Sequence, residues 1–365
     1  MIDLFSGSGG VTLGFKLAGF KVLAAVEIDP VAAETYGTNH PEVRLYRTDI
    51  RKVDPVLVMK ETGLRAGELT VLSVCAPCQP FSRQNRSTKW DPRAELILEG
   101  LRFVKVLKPR YVFLENVPGL GKGAYKRILD EFIDGLKKEG YGISEPRVLD
   151  AVDYGVPQFR KRLFLLAGRS GERPSFPEPT HAPPEEAEKN GKEPWRTVFD
   201  AIGDLPPLES GEKDPKDPLH WARKHSALSL ERLRHIPHNG GSRKSLPPHL
   251  QLACHVNGNG GYNDVYGRMD FSKPSNTLTT GCTNITKGRF AHPVQDRAIT
   301  PREAARLQTF PDWYVFHGSY EQISSQIGNA VPVLLAKKFA EVLHKKFSES
   351  VKDEDEPIRT IMEVV

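Results

Sequence analysis

Ile2-Asp3-Leu4-Phe5-Ser6-Gly7-Ser8-Gly9-Gly10 is a short apolar strand that runs into a glycine turn, and Val11 onward continues as a helix. This order places backbone amides and the positive end of a helix beside a ligand, because glycine allows close backbone approach. The Gly-Lys-Ser/Thr of a Walker phosphate loop is missing, so the turn is no phosphate grip of that kind. A second strand, Val22–Val26, ends in Glu27, where the ribose hydroxyls of a nucleotide-like cofactor would be held. A third apolar stretch, Val43–Tyr46, leads to Asp49, placed to accept from an adenine amine. A purely structural turn is the alternative for the glycines alone. Glu27 and Asp49 in that order favour an adenosyl cofactor.

Working outward, strand-like runs alternate with amphipathic stretches. Val71–Val74, Tyr111–Glu115 and Leu163–Ala167 read as further strands. Leu96, Leu98, Leu101, Val104 and Leu107, and then the stretch Tyr125–Glu139, read as helical. This alternation predicts an α/β fold: a doubly wound, mostly parallel sheet of Rossmann-like type with helices on both faces. The stretch Arg173–Pro218 is dense in proline and reads as linker. Residues 219–296 have weak periodicity and predict a small irregular inserted domain. From Arg297 the pattern is helical again and too apolar to stand alone, so these helices are expected to return to the first domain. The expected division is 1–172, 173–296, 297–348 and an acidic tail at 349–365.

The 365 residues carry 51 Lys+Arg against 46 Asp+Glu, a net +5 that by itself is weak evidence for an anionic partner. The distribution says more. His220–Arg302 holds 12 Lys/Arg, 4 Asp/Glu and 7 of the 11 His, which fits a surface meeting phosphates, the alternative being a solvated basic face. Four cysteines make no disulfide framework, and no run of 18 apolar residues suits a membrane span. The first fifteen residues lack the features of a signal peptide. A cytoplasmic chain with reduced thiols and no membrane partner is the expectation.

The second chemical site is Ala76-Pro77-Cys78-Gln79-Pro80-Phe81-Ser82, directly after the strand Val71–Val74. Open parallel sheets bind ligands at the carboxyl ends of their strands, and the two prolines stiffen the loop around the sulfur. Cys78 is a candidate nucleophile; a buried inert thiol, and zinc or redox use of Cys75 with Cys78, are the alternatives. Zinc lacks a compact second pair, since the other cysteines are Cys254 and Cys282. The third site is Glu115-Asn116-Val117, where a strand ends in an acidic residue. In a closed, partly apolar pocket Glu115 would be raised toward the range of a proton donor.

These three sites in this order closely resemble the DNA (cytosine-5)-methyltransferase family, in its restriction–modification form. Gln158-Phe159-Arg160-Lys161-Arg162 is similar to the family's Gln-x-Arg-x-Arg. The stretch from Arg302-Glu303 to Arg306-Leu307-Gln308-Thr309-Phe310-Pro311 resembles its penultimate motif, and Gly328-Asn329-Ala330-Val331-Pro332 its last. The match spans about residues 1–168 and 297–343 in family order.

The resemblance implies methyl transfer from S-adenosyl-L-methionine to cytosine C5 in a short duplex DNA site, through a covalent bond between Cys78 and C6. Glu115 would donate at N3, Arg162 touch O2 and hold Glu115, and Arg160 meet a backbone phosphate. Phe5, Ser6, Gly7, Gly9, Gly10, Glu27, Ile28, Asp49, Ile50, Pro77, Leu96, Asn329 and Val331 would line the cofactor pocket. The target base must leave the duplex, and Ser82–Arg93, including Ser82, Gln84 and Arg93, resembles the loop that closes over it, an ordinary resting loop being the alternative. Arg232, Arg243, Lys244, Arg268, Asn284 and Arg289 are candidates for contacting DNA. Implied as well are a monomer, no metal, and a cognate restriction endonuclease acting separately. A tRNA cytosine methyltransferase on the same catalytic domain and a non-catalytic DNA-binding regulator are the alternatives; the latter would be expected to lack Cys78 or Glu115.

Overall fold

The computed structural model describes residues 1–81, 90–252 and 264–362, with side chains through residue 349. The chain divides into two units. The first comprises Met1–Leu149, Lys161–Glu178 and Leu335–Val365; the second comprises Asp150–Arg160 and Pro179–Leu334. The return to the first unit therefore comes at Leu335, later than the expected boundary at 297, and residues 297–334 belong to the second.

The first unit is built on a seven-stranded sheet. Its strands are β1 (Ile2–Leu4), β2 (Ala24–Glu27), β3 (Arg44–Arg47), β4 (Val71–Val74), β5 (Tyr111–Asn116), β6 (Gly142–Asp150) and β7 (Lys161–Gly168), in the spatial order β3-β2-β1-β4-β5-β7-β6. Pairing from β3 through β5 is parallel, with Leu4 opposite both Val26 and Val74. Strand β7 runs antiparallel to β5, which sets Glu115 opposite Phe164. Strands β1, β4 and β5 are buried along their whole length, as apolar strands covered on both faces must be.

Between the parallel strands lie α1 (Gly10–Leu17), α2 (Pro30–Asn39), α3 (Pro55–Glu61) and α4 (Glu99–Leu107), and α5 (Lys126–Lys138) follows β5. One local device recurs: an aspartate followed by proline. Asp29 accepts from the amides of Val31 and Ala32, and Asp54 from Val56, while Pro30 and Pro55 fill the first helical position. Proline suits that position because its missing N–H would have no partner there. Asp91 and Pro92 repeat the device at the start of 3-10 turns over Pro92–Leu98, which pass into α4. The stretch read as one helix from Leu96 is thus two, and apolar spacings of three suit the tighter winding.

Strand β6 was not legible as a strand. It is an edge of the sheet, with all but two of its nine residues exposed or half-buried, and it contains Pro146, which only an edge tolerates well. The last helix, Val333–Met362, closes the unit through Phe339. This ring is fully buried, 4.4 Å from Phe164 and 5.2 Å from Phe113 between centroids, and Phe113 in turn meets Phe15 at 5.6 Å.

The second unit holds few ladders. Its helices include Val198–Ile202, Ala227–Arg234, Pro301–Leu307 and Tyr320–Asn329, and His181–Ala182 pairs with Glu193–Pro194 as a two-stranded sheet. A small core forms from Leu233, Ile236, Leu246, Leu250, Tyr266 and Ile285. Irregular backbone inside it leaves carbonyls without ladder partners, and buried guanidiniums supply the donors. No helix among the described residues is long and apolar enough to cross a membrane.

Phe339→Ala removes a ring with no room for the surroundings to collapse, so unfolding free energy should fall by about 3–5 kcal/mol, with Phe339→Leu losing less. Urea unfolding followed by circular dichroism measures this; a loss below about 1 kcal/mol would show that the ring does not close the unit.

Candidate active site

Strands β1, β2 and β3 step one way across the sheet and β4, β5 the other, so the order reverses between β1 and β4. Loops leaving the two strands diverge there, and the carboxyl ends of the strands around it are where such sheets hold ligands. The carboxyl ends of β2 and β5 carry Glu27 and Glu115, and the loops after β1, β3 and β4 carry Phe5, Asp49 and Cys78.

At the end of β1, Phe5 and Gly7 have φ of 61° and 55°, and Gly9, the residue before α1, has 91°. The turn is fastened to β2: Ser6 N–H donates to the Val26 carbonyl at 3.0 Å. Glu27 completes the fastening, its two oxygens accepting from the Gly7 amide at 2.7 Å and the Asp29 amide at 2.8 Å. Burial raises its pKa. A Cβ built on Gly7 would meet nothing within 4 Å, so open space lies beside the turn. The four lone pairs of the Glu27 carboxylate outnumber its backbone amide partners, Gly7, Ile28 and Asp29. Ile28, 65% exposed, follows Glu27.

Asp49 caps the turn Ile50–Lys52 and is gripped by Arg51, whose Nε lies 3.0 Å from Oδ1. The Arg51 hydrogen bonds hold its carboxyl down to about 2. Ile50, only 3% exposed, packs its side chain into the apolar core beside Asp49. Ser6, Gly9 and Gly10 are buried, Leu96 packs half-buried against the core, and Pro77 is half-buried beside Cys78.

Beneath the turn lies Asp3, fully buried, taking a hydrogen bond from Thr12 Oγ1 at 2.8 Å. Desolvation pushes its pKa up to about 6. Thr12 also meets the Tyr36 hydroxyl at 2.9 Å. Nothing in the sequence marked Asp3 beyond its place in the strand.

After β4 the chain passes Cys75, whose Sγ is 3.5 Å from Ser73 Oγ. Burial, with the Glu115 and Asp3 carboxylates, pushes the Cys75 thiol well up, so it stays protonated. Cys78 is half-buried in the loop beyond. Among the described residues no group of His, Cys, Asp or Glu is arranged to hold a metal ion.

Glu115 is the last residue but one of β5, beside this loop. Its Oε1 lies 3.1 Å from Arg162 Nε, and both side chains are nearly buried. The closed setting expected for Glu115 thus includes an ion pair, with the arginine that the family resemblance assigns to hold it. Asn116, next along, donates from Nδ2 to the Ala76 carbonyl at 3.0 Å and accepts the Val117 amide at 2.9 Å. It ties the Pro77-Cys78 loop to the strand bearing Glu115. The sequence shows it only as the middle of Glu-Asn-Val.

The Gln158–Arg162 motif is cut by the division of the chain after Arg160. In the second unit Arg160 is 1% exposed, its guanidinium donating to the carbonyls of Leu278, Gly328 and Ala330 at 2.9 Å each. The expected phosphate contact is therefore corrected: these donors hold protein backbone. Gln158, fully buried, joins Gln308 Oε1 at 2.9 Å. Asn329 is exposed at the end of its helix and Val331 is buried.

Arg268 is corrected likewise. Fully buried, it donates to the carbonyls of Leu233, Ile236, His292 and Gln295 and pairs with Asp296. Arg289 spends Nη1 on the carbonyls of Gly240, Gly241 and Arg268. Basic residues in an irregular fold serve its own carbonyls first. Arg232 is half-committed, with Nε on the Leu250 carbonyl and its guanidinium 5.5 Å from the Tyr266 ring. Asn284 closes a turn on Thr286. Lys244 is exposed and Arg243 half-buried, while Arg93, in the first unit, pairs with Asp91. Ser82 and Gln84 lie outside the described residues.

A family model described as C-5 cytosine-specific DNA methylase matches residues 1–345. The Type II methylase M.HgiDII of Herpetosiphon aurantiacus is 36% identical, over 95% of this chain and 97% of its own length. The Type II methyltransferase M.XorII of Xanthomonas oryzae pv. oryzae is 35% identical, over 92% of this chain and 82% of its own. Among solved structures, a DNA modification methyltransferase encoded within an E. coli prophage superposes with a TM-score of 0.72. It is 26% identical and covers 94% of this chain and 98% of its own.

Asp3 binds its proton more tightly folded than unfolded, so its contribution is fully present below about pH 4 and lost as pH rises through about 6. Asp3→Asn removes this titration. Relative to wild type the variant should gain up to about 3 kcal/mol between pH 4 and pH 7.5, measured by urea unfolding at both; parallel pH curves would refute the assignment.

Proposed function

The chain belongs to the C-5 cytosine-specific DNA methylase family, and from that premise we propose that Cys78 is the nucleophile of its methyl transfer and Glu115 the proton donor. It is a DNA cytosine-5 methyltransferase that uses S-adenosylmethionine. When bound, the cofactor supplies an electrophilic methyl group on a sulfonium. The residues present suit it: Glu27 keeps free lone pairs for ribose hydroxyls, the space beside Gly7 is open, and the exposed Ile28 and the ring of Phe5 would face the adenosyl group. Asp49, Pro77 and Leu96 keep their proposed roles around the cofactor.

The observation carrying this reading is that Glu115, paired to Arg162, is the last residue but one of β5, and that Asn116 beside it binds the carbonyl just before Pro77-Cys78. In the proposed chemistry the Cys78 thiolate forms a bond to cytosine C6 and Glu115 protonates N3, so the ring's electron density collects at C5. After C5 is methylated, its proton leaves to a base and the Cys78–C6 bond breaks, restoring the aromatic ring. Arg162 orients Glu115 and donates toward O2. Cys75, held protonated, leaves Cys78 as the nucleophile of the pair.

The substrate is duplex DNA. Residues 173–296 are proposed as the segment that recognises it, with the exposed Lys244 and with Arg243, Arg232, Asn284 and Arg93 as contacts. The relatives named as Type II methylases support a restriction–modification setting; within it the chain is proposed to act as a cytoplasmic monomer, with a cognate endonuclease acting separately.

Cys78→Ser should abolish methyl incorporation into duplex DNA while leaving cofactor binding intact, and Glu115→Gln should slow it by about 10²–10⁴-fold. Tritiated methyl transfer to genomic DNA and to tRNA measures both, and a 5-fluorocytosine duplex should trap wild type covalently. Incorporation that survives in Cys78→Ser, or appears in tRNA alone, would overturn the reading.

A further inference from the structure

Cys78 is followed by a 3-10 turn, Gln79–Phe81, in which the Phe81 amide donates to the Cys78 carbonyl at 3.0 Å. The Phe81 side chain is 4% exposed, and its ring meets Tyr125 edge-to-face at 5.0 Å. Trp90, the first described residue after 82–89, stacks on the same Tyr125 ring at 5.3 Å with an interplanar angle of 28°. The Arg127 guanidinium lies 5.4 Å from the Trp90 ring. One ring thus receives the residues on either side of 82–89. The turn Pro118–Gly121 supports the other flank: a Cβ at Gly119 would collide with the Phe81 carbonyl, so only glycine permits this approach.

Resting on the reading of Cys78 as nucleophile, we propose that Tyr125 is a positioning residue, its ring fixing Phe81 and Trp90 and through Phe81 the placement of Cys78. The ring belongs to the segment that follows β5, the strand whose end carries Glu115. Aromatic contacts of this kind are directional, which is what placing a sulfur over one ring carbon needs. A stack that only stabilised the start of α5 would have no reason to engage the turn carrying the nucleophile.

The test uses the full chain as Tyr125→Ala and Tyr125→Phe. Tyr125→Ala should lower kcat for duplex methylation by about tenfold or more, with KM for S-adenosylmethionine within about twofold, because a displaced nucleophile costs rate more than binding. Iodoacetamide labelling read by peptide mass spectrometry should show Cys78 alkylation altered by about threefold or more, with buried Cys282 unchanged as the control. Tyr125→Phe should restore both readouts, since the ring makes the contacts. Wild-type kcat and Cys78 labelling in Tyr125→Ala, or a Tyr125→Phe as impaired as the alanine variant, would overturn the proposal. Should the alanine variant lose its circular dichroism, Tyr125→Leu, which keeps apolar volume without a flat ring, is expected to show the same two changes. A wild type that methylates nothing would defeat the assigned function, while Cys78 labelling would still decide the role of Tyr125.

Discussion

Between β1 and β4 neighbouring strands send their chains in opposite directions, and the site depends on that divergence. A crevice opens without any side chain being removed to make it. What remains is to hold its loops, and three short hydrogen-bonded links do so: Glu27 to the Gly7 amide, Asn116 to the Ala76 carbonyl, and Arg162 to Glu115. Each joins the end of one strand to the loop or end of the next. The loops are irregular, but each is anchored to a strand of the sheet.

The second unit solves a different problem. With few strands to pair its backbone, it buries Arg160, Arg268 and Arg297 among its largest enclosed side chains. A guanidinium has five N–H donors in a rigid plane, so one side chain can tie several loops together. Arg297 does this with an acid as well: Glu303 takes Nη1 and Nη2 at 2.8 and 2.7 Å and also accepts the Thr300 amide. The Arg297 charge holds the Glu303 carboxyl down to about 2 despite its burial.

Much of the first unit was legible because its signals are local. Glycines in a strand-turn-helix, a carboxylate at the next strand end, and a cysteine between prolines each state their geometry within a few residues. Strand β6 was hidden because an edge need not alternate, Asn116 because its partner Ala76 lies 40 residues away in sequence, and Asp3 because its burial is set by the packing around β1. The basic residues misled for a physical reason. Charge is visible in a sequence, but whether a guanidinium faces water or a ring of carbonyls is decided by tertiary packing, as Arg160 and Arg268 demonstrate. Lys244, on a short turn, stays exposed.

The seat of Phe339 among Phe113 and Phe164 has a consequence for biosynthesis. A ribosome delivers the chain from its amino end, and the sheet's aromatic layer lacks this ring until more than 170 residues after Phe164 have emerged. The nascent first unit therefore waits with a greasy face uncovered while the second is still being made. Discontinuity in sequence becomes a delay in time, and such an intermediate is one that chaperones would be drawn to shield.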